Sequence, residues 1–110
     1  MAVTIWHNPR CSKSRQTLAL LDAPEVRLYL KDPPSVAEIT QALALLDMAP
    51  IELMRTDETL FKELGLSKSE DGATLIDAMA QNPILIERPI VFANGKAAIG
   101  RPPEAVLAII

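Results

Sequence analysis

The sequence predicts an α/β fold: a central mixed sheet whose β-α-β and β-β-α halves are separated by a helical insertion. Three observations predict it. Apolar runs of strand length stand near both ends of the chain, at Ala2 to Trp6 and Ile90 to Phe92. The middle carries apolar residues at helical spacing. Asn94-Gly95, set between two apolar runs, is the pair that builds a two-residue hairpin turn. The 110 residues fit one domain, 1–110.

Ala2 to Trp6 reads as a buried strand, ended by Asn8-Pro9. From about Ser12 to Leu21 the chain has helical character, with Thr17, Leu18 and Leu21 available to one face. Cys11 therefore falls on a strand–loop–helix corner. Glu25 to Leu30 alternates Val26, Leu28 and Leu30 against charged or larger residues, as a second strand does. Ser35 followed by Glu38 has capping-box spacing. Val36, Ile39, Leu43 and Leu46 then repeat along one helical face, and Pro50 interrupts that helix.

Asp57 to Leu64 reads as a short helix stopped at Gly65. Ala73 to Gln81 reads as another, closed by Asn82-Pro83. Ile84 to Ile86 looks like the start of a strand broken at Arg88-Pro89, which marks a kink or a cis bond. Ile90 to Phe92 resumes it, Asn94-Gly95 turns it, and Ala97 to Ile99 returns. Arg101-Pro102-Pro103-Glu104 opens a final helix that runs into Ile110. This element order is a thioredoxin-like arrangement with extra helices in its middle.

At 49% hydrophobic and 23% charged residues, the chain has the make-up of an ordinary globular protein. A net charge of -3 argues against nucleic acid as a partner, because phosphate neutralisation wants a basic face. No apolar stretch approaches the ~18 residues of a spanning helix, so no membrane role is expected. No basic leader-type segment precedes the first strand, so the expected compartment is the cytoplasm. The single cysteine makes an internal disulfide impossible and leaves a structural zinc site without its thiolate set. No bound metal or cofactor is expected, and the chain is expected to be a monomer. Any redox cycle through Cys11 must take its second thiol from another molecule.

The cysteine has distinctive surroundings. Arg10, Lys13 and Arg15 flank it, and no carboxylate precedes Asp22. The first turn of a helix offers unpaired N–H groups and a partial positive charge, and both favour a thiolate over a thiol. Nearby cations favour it further. The same N–H groups, with the hydroxyls of Ser12 and Ser14, suit a tetrahedral oxyanion. Nucleophile and anion cradle would coincide. His7, the only histidine, stands four residues before Cys11. It suits a proton shuttle for the thiolate, or equally a strand-end imidazole held by backbone. Arg55, Arg88 and Arg101 each end an apolar segment. Their planar guanidinium groups suit bidentate oxyanion binding, and surface solvation is the plainer alternative for each.

His7-Asn8-Pro9, Cys11, Ser14-Arg15 and Thr17-Leu18, at this spacing, resemble the signature of the glutaredoxin-coupled arsenate reductases. Leu53-Met54-Arg55-Thr56, Glu87-Arg88-Pro89-Ile90-Val91 and Gly100-Arg101-Pro102-Pro103-Glu104 are similar to that family's three oxyanion-binding segments, in the same order. The resemblance implies a thioredoxin-like fold and arsenate reduction. Cys11 would attack bound arsenate, with His7 and Ser14 assisting thiolate formation. Arg55, Arg88 and Arg101, with Ser12 and Arg15, would hold the oxyanion. Glutathione would act as co-substrate, glutaredoxin would reduce the mixed species, and arsenite would leave. One departure stands beside the cysteine, where Ser12-Lys13 replaces the Gly-Thr usual in the family's resistance enzymes.

Two other readings fit part of the pattern. A regulatory or adaptor protein of the same fold commonly carries a Cys-x-x-Cys switch at this corner, and here Ser14 takes the second position. A glutathione-linked monothiol transferase would use Cys11 and Ser14, but its disulfide substrate brings no oxyanion for the arginines.

Overall fold

Strand β1 (Thr4–Trp6) lies inside a four-stranded mixed sheet of order β2-β1-β3-β4. The computed structural model describes residues 2–110. Strand β2 (Glu25–Arg27) pairs parallel to β1, with Ile5 opposite Val26. Strand β3 (Ile90–Ala93) pairs antiparallel to β1 on its other side, with Trp6 opposite Ile90. Strand β4 (Lys96–Ile99) pairs antiparallel to β3. The hairpin between them turns at Asn94 and Gly95, whose φ values of 56° and 71° make the doubly left-handed turn that Asn-Gly favours.

The parallel step from β1 to β2 needs a crossover, and α1 (Ser12–Ala19) supplies it. Ile5, Val91 and Val106 are wholly buried, and Leu18, Leu21, Ala98 and Ile109 close around them. On the opposite face Trp6 and Phe92 pack with ring centroids 5.0 Å apart, and the Arg27 guanidinium lies 5.5 Å over the indole. Alternate residues of β1 thus serve the two faces, as the pleat requires.

The chain divides into two compact units, one made of the residues up to Asp32 with Arg88–Ile110, the other of Pro33–Glu87. The second unit is helical. Helix α2 (Val36–Leu46) starts at the Ser35–Glu38 capping box, with both reciprocal bonds formed. It ends at Asp47 in the left-handed region, φ 54°, before Pro50 is reached. Pro50 opens α3 (Pro50–Leu53), where its missing N–H costs nothing. Helix α4 (Thr59–Glu63) stops at Gly65, φ 69°. Helix α5 (Gly72–Gln81) is capped by Asp71, whose carboxylate accepts from the Thr74 N–H at 2.7 Å. Ile39, Leu43, Leu53, Phe61, Leu75, Met79 and Leu85 form the buried interior of this unit. No helix among the described residues is long and apolar enough to cross a membrane.

The α/β class, the mixed sheet and the mid-chain helices match the sequence expectation, but three elements differ. The alternation over Glu25 to Leu30 does not mark a buried face: Val26, Leu28 and Leu30 are exposed, and Tyr29 is buried instead. β2 is an edge strand that stops at Arg27, so Leu28 and Leu30 lie beyond it. Ile84 to Ile86 is not a strand start. Pro83 presets φ for a 3₁₀ turn over Pro83–Leu85, and Ile86 makes only a single bridge to Met54. The final segment is a 3₁₀ turn, Pro103–Ala108, rather than an α-helix.

Candidate active site

The corner after β1 is closed by short backbone bonds. The His7 N–H donates to Arg27 O at 2.8 Å, extending the parallel ladder one residue past the strand. Asn8 then turns the chain: its side-chain oxygen accepts from the Arg10 N–H and its carbonyl from the Cys11 N–H, both at 3.0 Å. Arg15 reaches back from α1 and donates to Pro9 O at 2.9 Å, tying loop to helix. Cys11 occupies the N-cap position of α1, in extended conformation.

Sheet register brings the arginines to this corner. Trp6 pairs with Ile90 and Ile90 with Ile99, so the open end of the β3–β4 hairpin lies beside the end of β1. The Gly100 N–H donates to Pro89 O at 3.0 Å, which carries the ladder one step further. Arg88 and Arg101, thirteen positions apart, therefore emerge together, and Arg101 Nη1 donates to Arg88 O at 3.2 Å. Both arginines precede cis peptide bonds, to Pro89 and Pro102. The sequence marks the first as a kink or a cis bond and gives no signal for the second.

Cys11 is 8% exposed, and this burial pushes its thiol pKa up. The Ser14 N–H, the Arg88 charge, the Lys13 N–H and a hydrogen bond from Arg101 oppose it, and together they hold the thiol below its ordinary range. Two of these are amides of the first helical turn, although the Cys11 side chain makes no capping hydrogen bond of ordinary geometry. The two cations come from the distant hairpin. Arg10 and Arg15, the arginines flanking Cys11 in sequence, are not among the groups that lower it.

His7 and Ser14 form a pair under the loop. His7 Nδ1 lies 2.6 Å from Ser14 Oγ, and that oxygen also accepts from the Asn8 N–H at 3.0 Å. The hydroxyl proton can go to the imidazole nitrogen, or the other tautomer can donate to the oxygen. Burial first, then the charge of Arg15, lowers the His7 pKa, so the ring is neutral at pH 7. No hydrogen bond joins this ring to the sulfur among the described residues. Ser12 and Arg15 are exposed on α1. Arg55 belongs to the second unit, where it pairs with Glu58 at 2.8 Å and donates to Ile84 O at 3.4 Å.

Two positions have a role their sequence pattern does not disclose. Thr17 reads as one member of an inward helical face. It is fully buried and donates to Lys13 O at 2.8 Å. Gly100 lies against it: a Cβ there would overlap the Thr17 hydroxyl and stand 2.8 Å from the Pro89 ring. This close approach seats the arginine-bearing hairpin end against α1. The signal available in the sequence is the glycine directly before Arg101.

A mixed four-stranded sheet with a buried cysteine of lowered pKa at its first strand–helix corner, beside the arginine-bearing hairpin end, is the arrangement of a thioredoxin-like thiol protein. The particular family follows from comparison: residues 6–109 match the ArsC family, and the chain belongs to it. It is 55% identical to the uncharacterized protein YfgD of Escherichia coli K12, over 98% of this chain and 96% of that one. It is 46% identical to an arsenate reductase of Neisseria meningitidis, over 98% and 97%. The solved structure of an arsenate reductase from Vibrio cholerae superposes with a TM-score of 0.96 at 49% identity, covering 100% of this chain and 98% of the other.

Proposed function

We propose that this chain is a cytoplasmic arsenate reductase that uses Cys11 as nucleophile and takes its electrons from glutathione and glutaredoxin. The observation that carries the reading is the sulfur's setting: Cys11 is buried at the N-cap of α1 with Arg88 and Arg101 near enough to lower its pKa despite that burial. A disulfide substrate would leave those guanidinium groups without an oxyanion to bind. The names of the relatives from Neisseria meningitidis and Vibrio cholerae support arsenate as the substrate.

In this reading Arg88 and Arg101 hold two oxygens of arsenate while the Cys11 thiolate forms a sulfur–arsenic bond and water leaves. Glutathione forms a second sulfur–arsenic bond as another water leaves. A glutaredoxin thiolate then attacks the glutathione sulfur, the electron pair of that bond passes to arsenic, and arsenite is released from Cys11 by water. The single cysteine agrees with this scheme, because both other thiols come from outside. His7 and Ser14 act as positioning residues that hold the loop, and Ser12 and Arg15 flank the anion on α1. The assignment of Arg55 to the same anion rests on the resemblance of its segment alone.

The test is arsenate reduction by the purified chain with glutathione and glutaredoxin, with Cys11→Ser alongside. Turnover that needs Cys11 and both thiol partners is the expected result. Turnover surviving in Cys11→Ser would overturn the mechanism. An absence of turnover, with Cys11 still alkylating fast at neutral pH, would discard arsenate and keep the thiolate.

A further inference from the structure

Beside the nucleophile loop lies a groove of about 320 Å³ that the reading above leaves unused. One wall is the run His7–Arg10, and the other is formed by Leu28, Leu30 and Lys31. The volume is at the low end of the ~300–1,000 Å³ usual for small-molecule sites, too small for the face of a protein domain. Leu28 and Leu30 are 37% and 38% exposed, so the groove carries apolar surface open to solvent. Pro9 adds to it.

Its two charged lining residues are cations. Among the described residues, no hydrogen bond or ion pair engages the Arg10 or Lys31 side chain. The carboxylate next in sequence, Asp32, faces Arg27 at 3.4 Å instead. In a chain of net charge -3, two uncompensated cations on one groove are a specific placement. Arg10 is also not among the groups that stabilise the Cys11 thiolate. The loop that walls the groove leads directly into the nucleophile, since the Cys11 N–H closes on Asn8 O at 3.0 Å.

We propose that this groove is the subsite for the second thiol, and that it takes a small peptide thiol carrying two carboxylates, as glutathione does. The carboxylates lie on Arg10 and Lys31, the peptide body covers Leu28, Leu30 and Pro9, and the sulfur is held within reach of the Cys11 loop. The proposal rests on the reductase reading for the identity of the thiol, and on the groove itself for its chemistry.

The test separates the two. S-methylglutathione, which cannot react, is titrated into the whole chain without arsenate and followed by amide NMR. Saturable shifts confined to His7–Arg10 and Leu28–Lys31 are expected. The apparent Kd is expected to rise at least tenfold in Arg10→Glu/Lys31→Glu, and less in Arg10→Gln/Lys31→Gln, which guards against misfolding of the reversed variant. Shifts elsewhere, no shifts, or an unchanged Kd in both variants would overturn the assignment. So would perturbation of the groove by glutaredoxin but not by S-methylglutathione. Specific binding without arsenate turnover would sustain the groove and sink the reductase reading. If turnover is found, the KM for glutathione is expected to rise about tenfold in the reversed variant while that for arsenate stays put. An unchanged glutathione KM, or an equal fall in Cys11 alkylation by iodoacetamide, would sink the groove alone.

Discussion

At Cys11 two opposing effects act on one sulfur. Burial favours the thiol, while two amides and two guanidinium groups favour the thiolate and prevail. The pKa is thus maintained by groups that a substitution can remove singly. Arg88→Ala and Arg101→Ala are each expected to move the midpoint of the alkylation-against-pH curve upward, toward that of a free thiol. Arg10→Ala is expected to leave it in place, and a shift as large as that of Arg88→Ala would refute the assignment of charges. Arg88→Ala should also lower kcat/KM for arsenate by about 10²-fold, the usual effect of losing one preorganised oxyanion donor. An unchanged rate at limiting arsenate would remove Arg88 from the substrate. The sequence shows that positive charge gathers near Cys11. It does not show which charges face the sulfur, because side chains adjacent in sequence at a helix start point in different directions.

Among the elements, the hairpin end and α1 are held together by Thr17 against Gly100. Because no side chain fits there, Gly100→Ala must push Thr17 or Pro89 aside. The expected cost is about 1–3 kcal/mol, the range for overpacking a well-filled site. It would appear as a lower denaturation midpoint with an unchanged slope. The same variant should raise the alkylation midpoint of Cys11, since it displaces Arg101. A stable variant with an unaltered thiol would show that the contact is loose. At this scale the local signals were legible: the Ser35–Glu38 capping box and the Asn94-Gly95 turn both formed as read. The edge strand was not, since Val26, Leu28 and Leu30 alternate like a buried face yet stay exposed. Periodicity reports a pattern of residues and does not report whether another layer covers it.

For the whole molecule, two groups couple folding to pH. His7 has its pKa lowered in the folded state, so the unfolded chain takes up the proton first on acidification. Its contribution to stability is whole above the ordinary imidazole value of about 6.5 and is lost as pH falls below it. Cys11, also lowered, follows the same sign in a higher window. Its contribution is whole above the ordinary thiol value of about 8.5 and is lost as pH falls through the folded value. Unfolding free energy should therefore rise with pH in both windows. His7→Gln is expected to flatten the acid slope and Cys11→Ser the alkaline one, as read from denaturation series between about pH 5 and 9. Slopes identical to those of the parent chain would show that neither group is perturbed by folding.

The sequence by itself determined what depends on neighbours along the chain: the Ser35–Glu38 cap, the hairpin turn, and the strand–loop–helix corner with the single cysteine on it. Each rests on one to four consecutive residues whose backbone preferences or hydrogen bonds act locally. Only the tertiary structure decided which cations meet the sulfur, that Thr17 and Gly100 seat the hairpin, that His7 bonds Ser14, and that an open basic groove lies beside the loop. These join residues far apart in the chain, Thr17 and Gly100 by 83 positions among them. Such partners are chosen by strand register and by the closeness of packing, which no window of sequence contains.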